Sequence, residues 1–246
     1  MDRHWKLDAL LRLLLLGCLS VGVTALASLV ARPYLQQQLA PVDFEFFQQV
    51  AGLFPLQALG LLCLGLFLRE HGLNATTAFG FRNAPTRSVS RALLVMLIVI
   101  PLCFVVMQLM AMLMQKCLGI VPPEQPTVGF LKHHPPLWQT LLLGFAAVVL
   151  APVVEELLFR GVFYTFLKQR GFPGLALWGT SILFGIIHLN LGALVPLICL
   201  ALIWTRLYER TGNLLAPITA HVMFNAVNFL LLTADLPDWL ERLFKK

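Results

Sequence analysis

Charge is what this sequence has least of. Only 12% of its 246 residues are Asp, Glu, Lys or Arg, against 59% hydrophobic residues and a mean hydropathy of +0.81. A soluble domain carries about 25% charged residues, so that class is excluded. Cysteine is sparse and unpatterned. The five, Cys18, Cys63, Cys103, Cys117 and Cys199, are odd in number, irregularly spaced and mostly inside apolar runs. They read as small hydrophobes, with no CxxC pair and no metal spacing. HExxH is absent as well, and no cofactor is expected. No internal repeat or matched pair of broken helices appears, which argues against an inverted-repeat transporter. The basic residues are not grouped with aromatics into a groove. The net charge of +6 therefore does not describe a nucleic-acid surface, and no nucleic-acid partner is expected.

What the chain does have is long, continuous apolar runs. Barrel strands alternate, so these runs are transmembrane helices, and the lipid bilayer is the first expected partner. The expected spans cover about 12–30, 50–68, 92–114, 137–167, 175–189, 193–208 and 214–232. The fold class is all-α: a polytopic transmembrane helical bundle of about seven to eight spans enclosing a polar cavity. Residues 1–136 would supply spans one to three and their loops, 137–234 a catalytic core, and 235–246 an amphipathic tail.

Several local features refine this map. Trp5 fits an interfacial anchor. Ala25-Leu26-Ala27 resembles a signal-peptidase site and Leu15-Leu16-Gly17-Cys18 a lipoprotein box, but an uncleaved first span is the preferred reading. Residues 31–49 read as a polar connector. His133-His134 lie in a proline-rich loop, 116–136, and read as solvated sequence, not metal ligands. The fourth run spans roughly 31 residues, about 46 Å as a helix, against a bilayer core of about 30 Å. Pro152 inside it should bend or break it. In the tail, Trp239, Leu240, Leu243 and Phe244 share one face of a short helix that Asp238 can cap. With the N-terminus cytoplasmic, the basic segments 69–91, 168–173 and 206–212 all fall inside the cell.

Against this oily background, residues 155–225 hold three polar clusters: Glu155-Glu156 with Arg160, Phe184 with His188, and His221 with Asn225. Ionisable groups at membrane depth are costly and usually functional. Glu156 and Arg160 are four apart, with the acid first, the better order for a helical ion pair. Glu155 lies about 100° round the helix. One acid is thus structural and Glu155 is left as the working acid. His188 follows Phe184 by one turn, and His221, Asn225 and Asn228 share a face. Glu155 with His188 could deprotonate a water, and His221 with Asn225 could hold the oxyanion. Glutamate with two histidines could instead ligate zinc, or relay protons in a transporter.

At these residues the sequence resembles the CAAX protease and bacteriocin-processing (CPBP, or Abi) family of intramembrane endopeptidases. All three of its patterns are present in order: Glu155, Glu156 and Arg160; Phe184 and His188; His221 and Asn225. Flanking Ala151-Pro152, Gly161, Thr211-Gly212-Asn213 and Ala216-Pro217 are also similar to the family, over about 140–230. The resemblance implies a water-accessible cavity in a helical membrane fold. It implies Glu155 and His188 as the water-activating pair, His221 and Asn225 as the oxyanion side, and peptide or lipidated protein substrates. Eukaryotic relatives trim prenylated CAAX proteins. Bacterial ones also include bacteriocin maturation, self-immunity and scaffolding, so a non-catalytic binding protein of the same fold is the alternative.

Overall fold

The computed structural model describes residues 5–119 and 125–234, and all regular structure among them is helical. Nine helices follow in order: α1 (Leu7–Gln38), α2 (Pro41–Glu70), α3 (Ala75–Ala78), α4 (Pro85–Cys117), α5 (Pro126–Lys132), α6 (Leu137–Gln169), α7 (Pro173–Ile187), α8 (Leu191–Thr211) and α9 (Leu215–Thr233). The amphipathic-tail expectation at 235–246 lies outside the described residues.

The ends of these helices follow from their sequences. Pro41, Pro85, Pro126 and Pro173 each stand in a first turn, where a missing N–H is harmless. Asn190 caps α8 by accepting from the Ala193 N–H, and Gly212, at φ 60°, ends it. The Asn213 Oδ1 then accepts from the Leu215 N–H to start α9.

Six helices, α1, α2, α4, α6, α8 and α9, are long and apolar enough to cross a membrane. The chain is a multi-pass membrane protein. Three expectations shift. Residues 31–49 are not a connector: α1 and α2 run through them, leaving only residues 39 and 40 between. The 15 residues of α7 reach about 22 Å, short of a full span. Pro152 does not break α6. The turns at Ala146–Leu150 and Leu157–Tyr164 are instead wound with i→i+5 bonds, and the wider winding carries the proline within one continuous helix.

The helices α4, α6, α7, α8 and α9 surround one buried cluster that includes Phe159, Phe184, Leu200, Trp204 and Phe224. A second cluster holds Trp5, Phe67, Phe79, Tyr164 and Leu214, and it joins the α1–α2 hairpin to α6. Trp5 is therefore not an interfacial anchor: it is 2% exposed and donates its indole N–H to the Gly161 carbonyl. The segment after α3 is latched to the α8–α9 turn. Phe79 O accepts from Leu214 N–H, Asn83 donates to Gly212 O, and Asn213 donates to Asn83 O. Gly80 is required there, since a Cβ would stand 2.0 Å from Gly212 O. Arg91 also reaches the carbonyl of Arg210, and Lys168 pairs with Glu209. The three basic turns thus share one end of the molecule.

Candidate active site

α6 presents Glu155, Glu156 and Arg160. Arg160 is almost wholly buried. Its Nη1 donates to Glu156 Oε1 at 2.8 Å, its Nη2 to the Ala201 carbonyl at 3.1 Å and its Nε to Thr205 Oγ1 at 3.4 Å. The guanidinium also lies over the rings of Phe184 and Trp204, at 4.9 and 5.4 Å. Every face of the cation is therefore occupied, which a buried charge requires.

The same Glu156 Oε1 accepts from His221 Nδ1 at 2.9 Å. That contact fixes the Nδ1–H tautomer and turns Nε2 toward Glu155, 3.8 Å from its Oε2. His188 is arranged in parallel. Its Nδ1 donates to the Phe184 carbonyl at 2.7 Å, and its Nε2 stands 3.9 Å from that Glu155 oxygen. Glu155 Oε2 is buried and has no hydrogen-bond partner among the described residues. The linear map sets His188 and His221 at different levels of their spans. The structure brings both to one carboxylate oxygen, because α7 is short and ends at His188. Leu189, with φ 49°, turns the chain away immediately afterwards. A left-handed conformation costs a residue bearing a Cβ roughly 1 kcal/mol, and the turn is closed by the Leu189 N–H donating to the Ile186 carbonyl at 3.0 Å.

Asn225 sits one turn beyond His221 on α9. Its Nδ2 donates to the Ala147 carbonyl at 2.8 Å. In the i→i+5 winding Ala147 would pair with residue 152, which is proline and has no N–H. Asn225 thus satisfies the carbonyl that Pro152 leaves free, and it ties α9 to α6 two turns before Glu155. One of its two amide hydrogens is used this way. Asn228 donates to Phe224 O, within α9.

Sequence reasoning missed Trp204. It is fully buried and stacks on His221, with centroids 4.0 Å apart and planes 20° from parallel. Phe184 meets Phe159, Trp204 and His221 edge to face. No sequence signal marked it, since Trp204 falls near the end of the mapped span 193–208, where tryptophan is common. Phe79 was missed as well. It fills the space left by Gly161, where a Cβ would lie 2.5 Å from its ring.

Comparison with known proteins finds similarity over these residues. Residues 136–227 match the family model described as type II CAAX prenyl endopeptidase Rce1-like. Two Bacillus subtilis (strain 168) proteins are similar. "Putative membrane peptidase YdiL" is 28% identical over 104 residues, 41% of this chain and 41% of that protein. "Uncharacterized protein YpbD" is 32% identical over 95 residues, 37% of this chain and 42% of that protein. The alignments thus span about two fifths of the length of these curated relatives. No solved structure matches the chain.

Proposed function

We propose that this chain, whose residues 136–227 match the Rce1-like family model, is an intramembrane endopeptidase acting on membrane-associated substrates, prenylated CAAX-like or bacteriocin-type proteins among them. The supporting observation is the convergence of His188 Nε2 and His221 Nε2, at 3.9 and 3.8 Å, on the unpartnered Glu155 Oε2. Those separations are too long for direct hydrogen bonds. They suit a water at about 2.8 Å from each of Glu155 and His188.

Glu155 takes a proton from that water as its oxygen attacks the scissile carbonyl, while His188, oriented by the Phe184 carbonyl, aligns it. The carbonyl oxygen gains negative charge. His221, once solvent supplies a proton to its Nε2, donates that hydrogen to it, and Asn225 offers its second amide hydrogen. Glu155 then passes the proton to the leaving amine, which closes the cycle. Glu156 and Arg160 hold His221 in place, and Phe184 walls the site. On this reading 137–234 is the catalytic core, 1–136 supplies the spans packed against it, and the basic end with the N-terminus faces the cytoplasm.

A zinc site is the second reading, carried by residue types alone, since among the described residues no three His, Cys, Asp or Glu side chains are arranged to hold a metal ion. A carboxylate oxygen and two Nε2 lone pairs are the donor set of a His2Glu zinc site. One zinc retained per chain, with chelator-sensitive cleavage, would replace the glutamate–water mechanism. The deciding experiment compares the membrane proteomes of wild-type and Glu155→Ala cells for new C-termini. Purified protein in proteoliposomes then checks cleavage of the peptides found. A cellular function that survives Glu155→Gln would mark a non-catalytic binding or immunity protein.

A further inference from the structure

α1 and α2 pack extensively on each other, and at one end Leu10 and Leu13 share a buried cluster with Leu64, Phe67 and Leu68. Toward their two-residue link they enclose a cavity of about 400 Å³. Small residues, Ala25 and Ser28 on α1 and Ala51 and Gly52 on α2, share its walls with Phe44 and Phe47. Along the two helices Arg32, Phe44 and Phe47 lie nearest the link and Val21 and Leu56 farthest from it, with Ser28 and Gln48 between. Arg32 is the single charged residue in the lining. It is exposed, with no hydrogen-bond or ion-pair partner among the described residues. Asp43, in the first turn of α2, accepts from Gln139 Nε2 at 3.0 Å.

We propose that this groove binds one anionic phospholipid, with its phosphate on Arg32, its ester region beside Ser28 and Gln48, and an acyl chain laid between Ala25 and Gly52. From Arg32 to Val21 the α1 wall runs about 16 Å, long enough to order much of one chain. An unbalanced arginine at the end of an apolar slot selects a head group with net negative charge, since a choline cation would be repelled. The site lies outside residues 136–227, so it stands apart from the peptidase reading.

Native mass spectrometry of the full-length protein with phosphatidylglycerol or phosphatidylcholine tests this without an activity assay. The expected result is a monomer retaining one phosphatidylglycerol, bound at least about tenfold more tightly than phosphatidylcholine, about 1.4 kcal/mol. Arg32→Gln should erase that preference and Arg32→Lys should keep most of it. Gly52→Leu should expel the lipid. Equal affinity for the two lipids, a preference that survives Arg32→Gln, or a dimer that Gly52→Leu dissociates would each overturn the proposal. The last would make the occupant a second copy of the chain.

Discussion

The α1–α2 hairpin and the α6–α9 unit are both apolar enough to span a membrane, yet they use that property in opposite ways. In the most apolar window of α1, 11% of residues are buried inside the protein, against 44% in α6. The first faces outward and keeps one exposed arginine, Arg32, at the end of its groove. The second turns inward and encloses two glutamates, an arginine and two histidines. Hydrophobicity alone therefore does not mark the candidate site. Polarity combined with burial does, because a charge survives there only where neighbours supply its hydrogen bonds.

Substitutions in the two regions should differ accordingly. The largest effect is expected for Arg160→Met, which strands Glu156 in the core. A loss of about 3–5 kcal/mol should appear in detergent unfolding, with cleavage abolished. If Arg160→Met unfolds like the wild type, the buried pair is not structural. Glu155→Gln should leave the unfolding midpoint unchanged and lower proteoliposome cleavage by about 10²–10⁴-fold. Turnover within a factor of two would remove Glu155 from the chemistry.

Gly161→Val sets a side chain against Phe79 and should destabilise by about 1–3 kcal/mol. Adding Phe79→Ala should restore part of that loss if the two share one space, and strict additivity would deny the contact. Trp204→Phe keeps a ring beside His221 but loses stacking area. A fall of about tenfold in kcat with KM unchanged would separate positioning from substrate binding. The smallest effect belongs to the hairpin. Gly22→Ala meets nothing within 4 Å, and its stability should stay within about 0.5 kcal/mol of wild type.

Much of the core was legible because helical periodicity maps sequence spacing onto space. The four-residue step from Glu156 to Arg160 is an ion pair at 2.8 Å. Separate helices were harder. Nothing in the spacing of Phe184 and His188 tells how long α7 is. Without that length His188 and His221 fall at different depths. The role of Asn225 toward Ala147 was hidden for a related reason. It depends on the i→i+5 winding, which decides which carbonyl Pro152 leaves without a donor.

The sequence by itself determined the helical membrane class, the polar residues and the pairing within α6, since composition and local periodicity need no partner. Only the tertiary structure decided that two histidines from α7 and α9 meet one glutamate oxygen, that Trp204 stacks on His221, and that Phe79 and Trp5 close over Gly161. Those contacts join residues far apart in the chain. They arise from helix length, winding and close packing, none of which is written in the spacing of a single segment.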